Sequence, residues 1–249
     1  MQFTSQTSSN GVIERGFILG EITGVIWSSA SGSDGAPVML MGHGGGLHKK
    51  APGVVARAHH CVSTCGFTVA IIDAPGHGER PRNAEDKRWV AALRHARSTR
   101  QPIDPIVVEF NASLAERAVP EWQATIDALQ ALPEIGARSP IGYIGMTLAT
   151  AIGIPLTAIE PRITAAVFGA MFTSDALVSA ANRIRIPIEY LLPWDDEEIA
   201  RHDGLALFDA FASEEKMLRA FPSGHRQVPG YVLESSLGFF ARHLRGATG

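Results

Sequence analysis

The chain has 249 residues, of which 45% are hydrophobic and 19% charged, so it can bury a substantial core and is too apolar for a disordered protein. Its formal net charge of −3 gives no electrostatic footprint for nucleic acid. Residues 1–11 lack the features of a secretory signal, and no apolar stretch reaches the roughly 18 residues of a membrane span. We therefore expect a single cytoplasmic domain over residues 1–249, with neither nucleic acid nor membrane as a partner.

The first third of the chain predicts strands, glycine loops and one helix. Residues 12–29 alternate apolar and polar groups around glycines, which indicates two or three short antiparallel strands at a sheet edge. Three elements are predicted next, namely a strand at 38–41, a helix at 52–65 and a strand at 67–72. A strand, a glycine loop, a helix and a second strand in this order indicate a parallel α/β unit.

Residues 79–120 interrupt this alternation, because they contain two helical stretches where a doubly wound domain needs one crossover helix. The stretches are at 84–97 and 105–118, and a separate helix is predicted at 121–132. We therefore expect part of the segment to form a small helical cap over the open end of the sheet.

The second half of the chain resumes the alternation. The predicted elements are strands at 141–146, 163–171, 187–193 and 216–221, and helices at 148–159, 204–212 and 231–244. Residues 172–184 form a short insertion that could provide a second wall of a pocket. The whole pattern predicts an α/β fold, a doubly wound and mostly parallel sheet with helices on both faces.

Thr147 stands between the strand at 141–146 and the helix at 148–159, with no residues left for a loop. It must therefore occupy a sharp strand-to-helix turn, which is the context of the nucleophile elbow Gly-x-Ser-x-Gly. Gly145-Met146-Thr147-Leu148-Ala149 keeps the spacing, with Thr in place of Ser and Ala in place of the second Gly. The position demands a strained backbone, which is costly for a β-branched residue.

Polar features follow the carboxyl ends of the predicted strands, where an open parallel sheet binds its ligand. They are the glycine loop 42–46, the loop 73–78, Thr147, the pair Asp195 and Asp196, and His225. A hydroxyl, an acid and a histidine in this chain order match a triad in which the hydroxyl attacks, the histidine accepts its proton and the acid orients the histidine.

Together these motifs resemble those of the α/β-hydrolases, and most closely the bacterial dienelactone-hydrolase-like and carboxylesterase branch. The resemblance covers nearly the whole chain, from about residue 38 to residue 244. The matching stretches are Gly42-His43-Gly44-Gly45-Gly46, Asp73-Ala74-Pro75-Gly76-His77-Gly78, Gly142 to Ala149, Trp194-Asp195-Asp196-Glu197 and Ser223-Gly224-His225. The departure from the family pattern is Thr147 in the place of Ser.

The resemblance implies a role for each matching residue. It gives Thr147 the position of the nucleophile, His225 that of the base, and Asp196 rather than Asp195 that of the acid, since Ile199 follows Asp196 at the spacing of the family pattern. The oxyanion hole would consist of backbone N–H groups of Gly44 or Gly45 and of Leu148. The expected substrate is a small carboxylic ester, lactone or thioester, with no cofactor and no metal. A homo-oligomer is left open.

The replacement at Thr147 leaves alternatives to hydrolysis. The same histidine and oxyanion hole could serve non-hydrolytic chemistry such as a lyase or cyclisation reaction, or the chain could be a catalytically silent ligand-binding protein. An engineered replacement of Ser by Thr is a further explanation. A phosphate loop at 42–46 is disfavoured, because no Gly-Lys-Ser/Thr follows it.

Other histidines and the two cysteines receive structural interpretations. His43 is interpreted as an orienting or packing residue of the oxyanion loop, and His77 as part of a structural turn beside the site. Cys61 and Cys65 are four residues apart on a predicted helix, without the further pair of ligands that a structural zinc site needs. We expect them to be free thiols packed in the helix.

Overall fold

The computed structural model describes residues 1–32, 35–225 and 227–245. The strands are β1 (Gln2–Ser9), β2 (Val12–Leu19), β3 (Ile22–Ser29), β4 (Val38–Met41), β5 (Thr68–Ile72), β6 (Ile141–Ile144), β7 (Ile163–Gly169), β8 (Ile188–Pro193) and β9 (Lys216–Phe221). The helices are α1 (Pro52–Cys65), α2 (Ala84–Thr99), α3 (Asp104–Gln130), α4 (Leu148–Ile159), α5 (Asp175–Ala181), α6 (Arg201–Ala210) and α7 (Gly230–Arg245).

Within the described residues the strands form one nine-stranded sheet in the order β1-β2-β3-β5-β4-β6-β7-β8-β9. The first three strands are an antiparallel meander, and β3 pairs antiparallel with β5. Every neighbouring pair from β5 to β9 is parallel. The predicted doubly wound, mostly parallel sheet is thus confirmed, and β6 lies near its middle.

Helices cover both faces of the sheet. Successive side chains of a strand point to opposite faces, so the apolar strands contribute to two cores, one on each face. In β4, Met39 and Met41 belong to the core beneath α1 and α7, whereas Leu40 belongs to the core beneath α3 to α6. Both cores are built from aliphatic and aromatic side chains. Among the described residues no helix is long and apolar enough to cross a membrane.

Local sequence accounts for the ends of the first two helices. Pro52 stands in the first turn of α1, where its missing N–H is not needed, and Gly66 ends the helix in the left-handed conformation at φ 62°. Asn83 and Asp86 form a capping box at the start of α2, each side chain accepting a hydrogen bond from the backbone N–H of the other.

Two features of the secondary structure differ from the sequence prediction. The separate helices predicted at 105–118 and 121–132 are one helix, α3, which continues through Pro120. A proline removes one helical hydrogen bond, but buried residues on both sides of it, among them Ala118 and Trp122, pack into the same core. Strand β1 was not predicted, because all eight of its side chains are exposed and leave no alternating apolar pattern.

The remaining boundaries agree within a few residues, apart from a shift of α6 toward the N-terminus. The interval 79–120 contains α2 and the first part of α3, which pack against each other. The interval 172–184 contains α5, which packs against α4 and α6.

Glycine in α4 is required by the packing of that helix on β6. A Cβ at Gly153 would lie 2.1 Å from Cε1 of Tyr143, whose side chain is fully buried. Gly238 in α7 is the matched opposite case, since a Cβ there has no atom within 4 Å.

We predict that Gly153→Ala lowers the free energy of unfolding by roughly 1–3 kcal/mol, because overpacking in a close-packed core forces neighbouring groups to shift. The control Gly238→Ala is expected to raise it by up to about 1 kcal/mol, since alanine is the better helix former. Urea unfolding followed by circular dichroism measures both. Equal shifts of the two midpoints would contradict the packing argument.

Candidate active site

Thr147 forms the turn between β6 and α4, and its backbone lies at φ 55° and ψ −118°. This is a strained conformation for a residue with a side chain, and more so for a β-branched one. The turn is held by backbone hydrogen bonds, because the Thr147 N–H donates to Gly169 O at 3.1 Å and the Thr147 carbonyl accepts from Thr150 N at 2.9 Å. The Thr150 hydroxyl also donates to Gly169 O at 2.7 Å and so ties α4 to the end of β7.

The small residues around Thr147 have a steric explanation. A Cβ at Gly145 would lie 2.7 Å from Ala149 Cβ and 2.8 Å from the Ala149 carbonyl oxygen. A Cβ at Gly42, at the end of β4, would lie 2.4 Å from the same Ala149 Cβ. The start of α4 therefore packs directly on the ends of two strands, and a larger residue at any of these three positions would push it away.

His225 follows β9 and contacts Asp196, which follows β8. The Nδ1 atom of His225 lies 2.9 Å from Asp196 Oδ2 and 3.2 Å from Oδ1. Asp196 Oδ1 also accepts backbone N–H bonds from Glu198 and Ile199, both at 2.9 Å. The carboxylate is thereby fixed in place, and with Nδ1 as the donor to it, Nε2 is the nitrogen that can accept a proton.

The structure does not bring Asp195 to the histidine. Asp195 is exposed, and its backbone N–H donates to Ser223 O at 3.1 Å. The side chain of Asp196 is by contrast only 4% exposed. The His225 loop is held further by Glu197, whose Oε2 accepts the His225 N–H at 3.0 Å.

A second carboxylate links the histidine to the helices of residues 79–120. Glu198 Oε2 lies 3.9 Å from His225 Nε2 and accepts a hydrogen bond from Arg97 in α2 at 2.7 Å. Sequence reasoning missed this residue, although it stands in the same acidic run as Asp196.

The Thr147 hydroxyl lies beside the glycine loop that follows β4. Its Oγ1 atom is 3.0 Å from the position that a Cβ on Gly44 would take, so only glycine fits there without displacing it. Within the part of the chain that the structure describes, Oγ1 makes no hydrogen bond, with His225 or any other residue. Catalytic hydrogen bonds often tighten only when substrate binds.

His43 orients the glycine loop from below. Its Nε2 accepts the Ala74 N–H at 3.0 Å, so the proton resides on Nδ1, which donates to the Gly44 carbonyl at 3.0 Å. Burial lowers the pKa of His43 to about 4, which keeps the ring neutral. Because the peptide is planar and trans, turning the Gly44 carbonyl toward His43 turns the Gly45 N–H to the opposite side.

Three backbone N–H groups at this edge remain without a backbone acceptor among the described residues. They belong to Gly44, Gly45 and Leu148. The first two lie in the loop beside Thr147, and the third stands at the N-terminus of α4, where the helix dipole favours negative charge. Such groups can stabilise an oxyanion that forms next to the Thr147 hydroxyl.

A buried ion pair that sequence reasoning missed anchors the far end of the glycine loop. Lys49 Nζ lies 2.5 Å from Asp73 Oδ2, and the Lys49 backbone N–H donates to Asp73 Oδ1 at 2.8 Å. Burial alone would raise the pKa of Asp73, but these hydrogen bonds and the ammonium charge lower it. The two residues are far apart in sequence and no spacing pattern connects them.

The remaining residues singled out in the sequence are His77, Cys61 and Cys65. His77 is buried with Nδ1 hydrogen-bonded to the Pro75 carbonyl at 3.0 Å, and its ring centroid is 5.3 Å from that of His43. Cys61 and Cys65 are free and buried, and burial raises the pKa of Cys61 to about 12. No group of three or more metal-ligating side chains occurs in the described ranges.

A cavity of about 350 Å³ lies between α3, α4 and α5. Its walls are mainly apolar, and none of Thr147, Asp196 and His225 lines it. It is therefore distinct from the arrangement at the carboxyl edge of the sheet.

The chain is similar over its whole length to solved structures of esterases. One is a cold-adapted esterase from an Arctic intertidal metagenomic library, with a TM-score of 0.77 and 29% identity, covering 98% of this chain and 100% of that one. Two acetyl xylan esterases share the fold at lower identity. That from a Paenibacillus species has a TM-score of 0.69 and 14% identity, covering 98% of this chain and 88% of that one. That from a Thermoanaerobacterium species has a TM-score of 0.72 and 13% identity, covering 97% and 87%.

No protein-family model and no curated protein matches the chain. The structural likeness nevertheless extends over complete esterase domains. The predicted α/β-hydrolase fold is therefore confirmed. The esterases among these structures also support the predicted enzyme class, a hydrolase of the esterase type.

The neutral state of His43 generates a pH prediction. Its folded pKa of about 4 lies below the unfolded value of 6.5, so the unfolded chain takes up the proton first. The stability contributed by His43 is thus fully present above pH 6.5 and is lost as the pH falls toward 4, by on the order of 3 kcal/mol. We expect His43→Gln to weaken this pH dependence.

Urea unfolding at several pH values between 7 and 4 measures the effect. His202→Gln is the control, because the His202 side chain is 85% exposed, and it should keep the pH dependence of the unmodified chain. If His43→Gln kept the pH dependence of the unmodified chain, His43 would not be the group whose protonation causes the loss of stability.

Proposed function

We propose that the chain hydrolyses carboxylic esters, lactones or thioesters of small molecules, with Thr147 as nucleophile, His225 as base and Asp196 as the orienting acid. The observation that carries the proposal is the His225 contact with Asp196, whose carboxylate is fixed by two backbone N–H groups. The histidine is oriented in this way at the same sheet edge as the strained turn that carries the Thr147 hydroxyl. Acyl transfer needs such a base and such a nucleophile at one site.

In the proposed reaction the Thr147 oxygen attacks the substrate carbonyl and its proton passes to His225 Nε2. The N–H groups of Gly44 or Gly45 and of Leu148 stabilise the oxyanion of the tetrahedral intermediate. The intermediate collapses to an acyl-threonine, and the imidazolium returns the proton to the leaving alcohol or thiol. Water, deprotonated by His225, then releases the acid and restores the hydroxyl.

The esterases with which the chain shares its fold support this reaction class. The likeness to the cold-adapted esterase, at 29% identity, spans both chains almost completely. A relation to the dienelactone-hydrolase-like branch rests on the motifs at residues 42–46, 73–78 and 142–149.

The extra methyl group of Thr147, compared with serine, is expected to slow its attack on the substrate. The methyl restricts rotation about χ1 and takes up space beside the Leu148 N–H. Because His225 keeps its contact with an orienting carboxylate, we expect the attack step to be slowed and not abolished. The substrate preference expected from Trp89 and Phe110 in the segment 79–120, which stack at 6.4 Å, is for an apolar acyl or aromatic group.

We predict that Thr147→Ser increases turnover of an activated ester such as 4-nitrophenyl acetate by about 10- to 100-fold, since each tenfold requires only about 1.4 kcal/mol of barrier. The serine keeps the hydroxyl and relieves the rotamer restriction. Thr147→Ala should abolish the covalent acyl-enzyme, which mass spectrometry of a quenched reaction detects. Full ester turnover by Thr147→Ala would contradict the assignment of Thr147 as nucleophile and would favour a reaction in which His225 acts without it.

The two neighbouring aspartates provide a matched test of the acid. Asp196→Asn should lower kcat on the order of 10³-fold or more, because an amide donates to Nδ1 and favours the wrong tautomer of His225. Asp195→Asn should leave kcat within a few-fold, since its carboxylate does not contact the histidine. Steady-state kinetics of the two variants decide between them, and equal losses in both would contradict the assignment to Asp196.

A further inference from the structure

A cavity of about 310 Å³ lies between α1 and α7, on the face of the sheet opposite α3 and α4. Its floor is formed by Met39 and Met41 of β4 and Ile144 of β6, and α7 contributes Leu233 and Leu237. The volume is at the lower end of the roughly 300–1,000 Å³ found in small-molecule sites. None of the residues proposed for catalysis lines this cavity.

One charged group in this apolar surrounding lacks a counterion. Arg57 lines the cavity, and its guanidinium makes no hydrogen bond or ion pair with any other residue that the structure describes. Burial lowers the pKa of Arg57, which shows that its charge is partly removed from water. An unpaired and partly desolvated cation is unfavourable, and an anion that pairs with it relieves this penalty.

The cavity wall also includes one carboxylate, that of Glu234, and it is already engaged. Glu234 of α7 lies 2.6 Å from His60 Nε2 of α1, and this pair bridges the two helices at the rim. Both side chains are about half exposed. The pair therefore closes part of the opening but leaves the charge of Arg57 uncompensated.

We propose that this cavity binds a small amphiphilic monoanion, a free carboxylate with an apolar chain of medium length. The carboxylate pairs with the Arg57 guanidinium, which presents the planar fork that suits carboxylate oxygens. The chain lies on the methionines of β4 and on Leu233, where its apolar surface is removed from water. The site is separate from Thr147 and does not rest on the proposed hydrolase activity.

Titration calorimetry at pH 8 tests the proposal with sodium octanoate as the probe and 1-octanol as its uncharged match. We expect saturable octanoate binding that Arg57→Met weakens roughly tenfold or more, because a hydrogen-bonded charge pair is lost while the apolar wall is kept. Arg57→Lys should retain part of the binding. Octanol should bind more weakly, and Arg57→Met should not weaken it further.

Two further variants complete the design. Arg138→Met, which removes an exposed arginine from the turn before β6, should bind octanoate as the unmodified chain does. Leu233→Trp should block binding by filling the cavity. Ester turnover without octanoate should be unchanged in Arg57→Met. Absence of saturable octanoate binding, or binding that Arg57→Met leaves intact, overturns the proposal, the latter because the anion would then occupy another site.

Discussion

The close approach of α4 to the ends of β4 and β6 is the constraint on which the arrangement at the sheet edge depends. It requires three small residues in contact, Gly42, Gly145 and Ala149, because any Cβ added to either glycine would meet Ala149 at less than 3 Å. It also forces Thr147 to a φ of 55°. A strained φ costs on the order of 1–3 kcal/mol and persists only when neighbouring structure determines it.

Buried polar groups help to position the loops around this turn. His43 bridges the Ala74 N–H and the Gly44 carbonyl, and the ion pair of Lys49 with Asp73 fixes the end of the same loop. Buried polar groups are tolerable only when they are satisfied, and then they specify a single arrangement. The glycine loop is therefore held rigidly at two points, with Gly44 and Gly45 between the turn and the sheet edge.

The sequence allowed the fold and the placement of Thr147, Asp196 and His225 at one sheet edge to be predicted, because strand ends in a parallel sheet meet there. It could not reveal contacts between residues distant in the chain without a characteristic spacing, such as Lys49 and Asp73. Strand β1 escaped prediction because its side chains are all exposed and leave no alternating apolar pattern. The continuity of α3 escaped it because local sequence at Pro120 argues for a break, whereas packing on both sides overrides it.

The position of the threonine hydroxyl defines what must move for the proposed chemistry. Oγ1 lies against Gly44 and is not hydrogen-bonded to His225, whereas attack requires its proton to reach Nε2. The turn at Thr147 is held by backbone hydrogen bonds to Gly169 of β7 and to Thr150. His225 lies on the connection between β9 and α7 and is held by the carboxylates of Asp196 and Glu197. To bring Oγ1 and Nε2 together when substrate binds, either the χ1 angle of Thr147 rotates or the loop that carries His225 moves. The methyl group of threonine hinders the χ1 rotation.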